Sequence, residues 1–158
     1  MAIMWREGLT IDHGPIDRDH HTLIAIINTF ETVEPGPDAA ARLADVIGEL
    51  EKYGSTHFAR EERLQRLVAF PFAEAHGTQH RHLMRSLDQA RAELARTASG
   101  KDLAVFREHM CGFLNDWLID HIIKTDLMMK PYVKAMAPHA ELLGSLHAAV
   151  RAMDEQKR

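Results

Sequence analysis

The stretch EKYGSTHFAREERL, residues 51–64, decides how this chain is read. Ahead of it and through it, apolar residues recur at helical spacing: Leu43, Val46, Ile47, Leu50 and Tyr53, then Leu64 and Leu67. Steps of three or four mark the face of an α-helix that packs inward. The positions that should continue this stripe between Tyr53 and Leu64 hold His57 and Glu61. A carboxylate buried without a partner costs several kcal/mol. Something in the interior must therefore receive both groups.

The bulk composition sets the frame. The chain has 158 residues, 46% apolar and 27% charged, which is ordinary for one globular domain with a real core. A net charge of -4 supplies no basic face for nucleic acid or for an anionic membrane. Cys111 is the single cysteine, so an intramolecular disulfide is excluded and a reducing compartment is expected. The first residues lack the basic-then-apolar pattern of a secretory signal, and no run approaches the roughly 18 apolar residues of a membrane span. These features together predict a cytoplasmic protein. The unusual figure is eleven histidines against two tryptophans and two tyrosines.

The stripe belongs to the second of several helices. Residues 1–15 read as an irregular arm broken by Gly8, Gly14 and Pro15. A first helix is expected over about 17–34, with Asp17 as N-cap and Ile16, Leu23, Ile24, Ile27 and Phe30 inward. EPGPD ends it, and Asp38 can cap the second helix, which runs to about residue 68. FPF breaks that helix, and Pro71 suits the start of a third, which closes at TASG with Gly100 in the αL position. The fourth is expected from about Asp102 to Lys130, with Pro131 and Pro138 beyond it. A last amphipathic segment, HAELLGSLHAAVRAM, carries Leu142, Leu143, Leu146, Val150 and Met153. Four long helices with short loops predict an all-α, antiparallel, up-down-up-down four-helix bundle with an N-terminal arm and an extra C-terminal helix. Residues 1–132 form the bundle and its arm, and 133–158 a helical extension of the same domain. The extension suits packing on the bundle, with docking of a protein partner or a second copy as the alternative.

His57 and Glu61 have counterparts on the other helices. His20 lies on the inward stripe of the first. His76 and His80 occupy the beginning of the third, whose stripe is Phe72, Leu83, Met84, Leu87 and Leu94. In the fourth, Leu103, Phe106, Met110, Phe113 and Trp117 lead to His121, with Asp126 five residues on. These groups fall early, late, early and late along successive helices, which in an antiparallel bundle is one end. Five imidazoles and two carboxylates thus meet at one level of one core. Taken singly, each has a bland explanation: a hydrogen-bonded core histidine, a solvated i,i+4 pair, a surface charge run. Taken together they require charge that only a bound cation supplies. His13, His21, His82, His109, His139 and His147 lack the alignment and read as structural or solvated.

Seven ligands exceed the four to six positions of one ion and suit two. With both carboxylates bridging and a single-oxygen bridge added, about one position stays open on two octahedral ions, as a small-molecule site requires. Imidazole with carboxylate suits Fe, Zn, Cu or Mn, and spacing does not choose among them. Ferritin-like bundles are excluded, since no Glu has a His three residues on. The helical HD phosphohydrolases are excluded too, because only the order Asp-His occurs.

With these residues in hand, the chain resembles hemerythrin, in its single-domain bacterial form. The resemblance runs from Trp5 to about Tyr132. It rests on IDRDH (His20), HFAREE (His57, Glu61), HGTQH (His76, His80) and WLIDHIIKTD (His121, Asp126) in that order. It implies a non-haem di-iron centre with an oxo or hydroxo bridge. His76, His80 and His121 would hold one iron, His20 and His57 the other, and Glu61 and Asp126 would bridge. It also implies reversible O₂ binding, with the bridge as internal proton donor and no enzymatic acid or base, and an apolar O₂ pocket lined by Phe58, Trp117, Leu118 and Ile122. The function expected is therefore an oxygen carrier, store or delivery protein. The alternatives are an oxygen or redox sensor, or a di-iron enzyme reducing NO or peroxide. Gly54 and Gly77, each three residues before a candidate ligand, suit close helix approach.

Overall fold

A computed structural model describes residues 2–97, 101–136 and 144. Four long helices dominate: α1 Pro15–Glu31, α2 Ala39–Leu67, α3 Ala73–Arg96 and α4 Lys101–Lys124. A 3-10 turn over Asp126–Met129 then leads into a short helix, α5 Lys130–Met136. The long helices pack in sequence order, α1 on α2, α2 on α3, and α4 back against α1, so the bundle is antiparallel. Among the described residues there is no strand, and no helix is long and apolar enough to cross a membrane. The segment expected as the C-terminal helix, residues 139–153, lies outside the described residues apart from Gly144, as does the expected αL cap at Gly100.

The N-terminal arm is tied down rather than loose. Asn28 on α1 accepts the backbone N–H of Ile3 at 2.8 Å and donates to its carbonyl at 3.0 Å, and Ile3, Leu9 and Ile11 are buried. The start of α1 differs from expectation. Pro15 occupies the first turn, and Asp12, not Asp17, caps the helix, accepting the N–H groups of Gly14, Ile16 and Asp17. Asp17 is buried and instead turns back to accept from Ile11 and His13 at 2.8 and 2.7 Å. Two acids here divide the work assigned to one. Asp38 stands at the N-cap of α2 without making a side-chain cap bond.

The inward faces of α1 and α2 fall where the apolar stripes place them, save Leu67, which is 46% exposed at the end of α2. There Ala69 takes φ 50°, and the N–H of Phe70 reaches back to the Gln65 carbonyl at 2.8 Å. This turn carries Phe70 into the interior and leaves Phe72, expected on the inward stripe of α3, half exposed. In α4 the buried line is Phe106, Met110, Leu114, Leu118 and Ile122, while Phe113 is exposed and Leu103 and Trp117 are half-buried. Counting back from His121, a step of three reaches Leu118 and a step of four reaches Trp117. Both are apolar, so the register was open by one residue, or about 100° of helix rotation.

The fourth helix is also shorter than expected. It ends at Lys124, and Pro131 sits inside the first turn of α5, where its missing N–H costs nothing. The break has a function. Five residues along a continuous helix would place Asp126 about 140° away from His121. The 3-10 turn brings it back to the same side.

The apolar core falls into two parts. The larger fills the bundle between Phe30 and Ile122, and a smaller one gathers Ile11, Ile16, Leu64, Val68, Phe70, Met129 and Val133 at one end. In α1 and α2 the candidate ligands lie between residues of the larger core and residues of the smaller, and after α4 the smaller core follows Asp126 at Met129 and Val133. A polar layer is thus sealed above and below by hydrocarbon.

Candidate metal centre

Each helix presents its groups to that layer. α1 supplies His20, α2 supplies His57 and Glu61, α3 supplies His76 and His80, α4 supplies His121, and the 3-10 turn supplies Asp126. All seven are buried, none more than 5% exposed. Asp126 Oδ1 lies 3.0 Å from Nε2 of His76 and 3.1 Å from Nε2 of His121, and its Oδ2 lies 3.2 Å from Nε2 of His20. Glu61 Oε2 is 3.1 Å from Nε2 of His80, 3.4 Å from His76 and 3.7 Å from His57, while Oε1 is 3.8 Å from His20. The structure therefore brings all seven predicted residues together. Two overlapping sets have metal-ligand spacing, Glu61 with His76, His80 and His121, and Glu61 with His20 and His57.

The hydrogen bonding argues that these atoms face a cation rather than each other. His57 Nδ1 lies 3.4 Å from an Asp19 oxygen, His80 Nδ1 3.2 Å from a Glu62 oxygen, and His121 Nδ1 3.2 Å from the Gln79 carbonyl oxygen. Each partner is an acceptor, so each Nδ1 donates, the tautomer whose lone pair lies at Nε2. Yet the Nε2 atoms of His76 and His80 both stand 3.2 Å from Nε2 of His121. Converging lone pairs repel unless a positive charge lies among them. Among the described residues, both oxygens of Glu61, both of Asp126 and both nitrogens of His20 are buried without a hydrogen-bond partner. A buried polar group left so is costly unless a ligand completes it. His76 differs: the Gln65 amide nitrogen lies 2.8 Å from its Nδ1 and donates to it, while the Gln65 carbonyl oxygen is buried without a partner, so the amide would have to turn over for His76 to ligate through Nε2 as the others do.

Protons stand in for the cation in the protein alone. Burial opposes charge on His76, but Asp126 and Glu61 outweigh it and raise this imidazole to about 9. His20 is likewise raised, burial being overcome chiefly by Asp126. Burial also works against ionised Glu61 and Asp126, and the surrounding imidazoles overcome it, holding both carboxyls below their ordinary range. The donor set, imidazole and carboxylate, suits iron among the borderline metals.

The apolar residues expected beside the centre are placed as follows. Phe58 is buried and stacks on His80, ring centres 3.9 Å apart at 12°. Leu118 and Ile122 are fully buried. Trp117 stacks on His121 at 4.9 Å and 17°, but it is half-buried and borders a groove of about 470 Å³ with Gln79, Phe113 and Thr125. Gly54 does not bring helices unusually close, since a Cβ there would meet nothing nearer than 3.7 Å. At Gly77 a Cβ would press on the tips of Arg81 and Glu62, at 3.3 and 3.4 Å. His13, His21 and His82 are exposed, as is His109, while His139 and His147 lie outside the described residues.

The residues that hold the imidazoles from behind escaped the sequence reading. Asp19, Glu62, Gln65 and Gln79 each lie beside a ligand in sequence or one turn from it. Nothing in an apolar stripe marks such a position, because these side chains sit on its flank. Glu62 in particular reads as half of a surface charge run.

Known proteins resemble this chain over most of its length. The family model for the hemerythrin HHE cation binding domain matches residues 14–133. A bacteriohemerythrin of Pseudomonas paraeruginosa is 31% identical over 124 residues, 78% of this chain and 76% of the relative. One from Stenotrophomonas maltophilia is 29% identical over 133 residues, 84% of this chain and 82% of the relative. Crystal structures of hemerythrin leucine variants superpose with a TM-score of 0.68 at 22% identity, covering 84% of this chain and 98% of theirs.

Proposed function

The chain belongs to the hemerythrin family of non-haem iron, oxygen-binding proteins, and from that premise we propose that it holds two iron ions and takes up O₂ reversibly, as a carrier, store or delivery protein. The observation that carries this reading is the set of Nε2 lone pairs and unpartnered carboxylate oxygens that converge in a sealed layer. His76, His80 and His121 would hold one ion, His20 and His57 the other, and Glu61 and Asp126 both. When bound, the pair of irons supplies a reducible centre at which a small neutral molecule is taken up and given back.

The chain's own residues do the rest. Asp19, Glu62 and Gln79 accept the Nδ1 protons of His57, His80 and His121 and keep each Nε2 aimed inward, while the Gln65 amide nitrogen holds the His76 ring by donating to its Nδ1. Leu118, Ile122 and Phe58 surround the layer with hydrocarbon, which admits an apolar gas and keeps out the water and anions that would compete for the metal. A dry site also strengthens every charge interaction inside it. The lone half-buried Cys111, whose thiol is pushed up by burial and then by Glu31, has no part in this chemistry and suits a reducing cytoplasm.

The visible spectrum of iron-loaded protein tests the proposal. The protein is reduced without air, exposed to O₂ and purged with argon, with metal analysis alongside. A charge-transfer band that comes with O₂ and leaves on purging, at two irons per chain, is the result expected. A band that forms once and stays would refute reversible binding and put a sensor or an enzyme in its place.

A further inference from the structure

Asp19 is a partner of an imidazole that carries a full charge inside the protein and is itself answered by a cation. It is 4% exposed, and three donors from a single helix reach it. The Tyr53 hydroxyl donates to Oδ1 at 3.0 Å, Arg60 Nη1 lies 2.6 Å from each oxygen, and His57 Nδ1 lies 3.4 Å from Oδ2. Tyr53, His57 and Arg60 stand four and three residues apart on α2, which puts them on one face. Asp19 also precedes His20 on α1, so the residue that partners His57 sits next in sequence to the other histidine of the two-histidine half. The Nδ1 partners of the three-histidine half are different in kind. Gln65 and Gln79 are neutral amides, and Glu62 is 35% exposed to water.

A buried carboxylate behind an imidazole draws on its N–H and makes the far nitrogen a stronger donor. Left alone, Asp19 would do this to His57 without solvent to moderate it. Arg60 prevents that, since its guanidinium lies closer to Asp19 than the ring does and engages both oxygens. We propose that Arg60 is a positioning residue that sets the donor strength of His57: it holds the charge of Asp19 away from the ring and so keeps the His20/His57 half of the centre in its reduced form more readily. This rests on the two-iron reading above.

The test is a double-mutant cycle of R60Q and D19N, with R60K beside it. Metal analysis and an anaerobic cobalt(II) titration come first and need no O₂. The parent chain must take two metals, and failure there would sink the two-iron reading itself. D19N is expected to weaken cobalt(II) binding by about 10–100-fold. The reduction potential of each iron-loaded variant is then measured. R60Q should shift it downward in the parent, and the shift should at least halve in the D19N background, where no charge remains to be held. R60K, which keeps the charge but loses the two-oxygen grip, should give a smaller shift in the same direction. An R60Q shift of equal size in both backgrounds would mean Arg60 acts only through its field, and no shift at all would mean it does not act; either overturns the proposal. If R60Q does not fold, the same cycle with R60K decides by the same criterion.

Discussion

Replacing Leu118 by alanine separates the packing of the bundle from the chemistry of its polar layer. Leu118 is 1% exposed and lies one turn before His121 on the buried line of α4. Truncating such a leucine removes three buried carbons and leaves a cavity, at a cost of about 3 kcal/mol. In a chain of this size that lowers the melting temperature by roughly 6–12 °C. Leu87→Ala, at a site 2% exposed and seven residues beyond His80 on α3, serves as the control. It should cost a similar amount, but about 10 Å along the helix from the ligand. Chemical denaturation of both variants gives the stability term. The rate at which the oxygenated, iron-loaded protein passes irreversibly to the ferric state gives the other. Leu118→Ala should raise that rate several-fold and Leu87→Ala should leave it unchanged, because only the first opens a path for water to the layer. Equal rates in the two variants would refute the role of Leu118 as a wall of the site. A loss of stability below about 1 kcal/mol would refute the packing argument itself.

Other substitutions and conditions test separate parts of the argument. His121→Ala should abolish loading of two irons per chain, read by metal analysis, since it removes an Nε2 that meets both His76 and His80. The metal-free protein should lose stability as the pH rises from the ordinary histidine value of 6.5 through about 9, because a folded-state imidazole raised to that value stabilises only while it holds its proton. It should lose stability again below about pH 4, as Glu61 and Asp126 take up protons that their depressed folded-state values resist. Iron should erase the alkaline limb, with release of protons on binding measurable by pH-stat, and an alkaline limb unchanged by metal would contradict the substitution of ion for proton. Ala69→Gly should stabilise the chain by about 1 kcal/mol in thermal denaturation, since Ala69 is held at φ 50°, a conformation glycine adopts without steric cost.

How far the sequence could be read depended on what kind of pattern each residue left. His20, His57, Glu61, His76 and His80 interrupt apolar stripes on unbroken helices, so their common level follows from helical periodicity and antiparallel order alone. Asp126 was assigned with them although five residues from His121 is the wrong spacing for one helix face. What reconciles the spacing is a 3-10 turn, and nothing between Lys124 and Lys130 announces it. The register of α4 was ambiguous for a related reason. Leu118 and Trp117 are both apolar, so a stripe could be drawn through either, and only the packed structure shows that Leu118 faces in. Capping was misassigned at α1 because Asp12 and Asp17 are the same residue type, three residues before and two after Pro15, and the sequence does not tell which side chain reaches the free N–H groups. The cluster of Tyr53, Arg60 and Asp19 was illegible because Asp19 and Arg60 look solvated, and the inward stripe that holds Tyr53 says nothing of where its hydroxyl goes.

The placement of the ligands along the chain orders events in time. The first, His20, emerges early in synthesis, while Asp126 follows more than a hundred residues later and only after the break at the end of α4. A nascent chain lacking the last turn has the four long helices and five imidazoles but not the second carboxylate, and the small apolar cluster that closes that end lacks Met129 and Val133. Iron offered before that point meets an open, solvated set of histidines rather than a sealed site. On the two-iron reading, the metal would then join α1 to the turn at Asp126, a cross-link over a long loop of the kind that most restricts an unfolded chain. Loading would therefore follow closure of the bundle, and loss of the metal would release α1 and the Asp126 turn from each other at once.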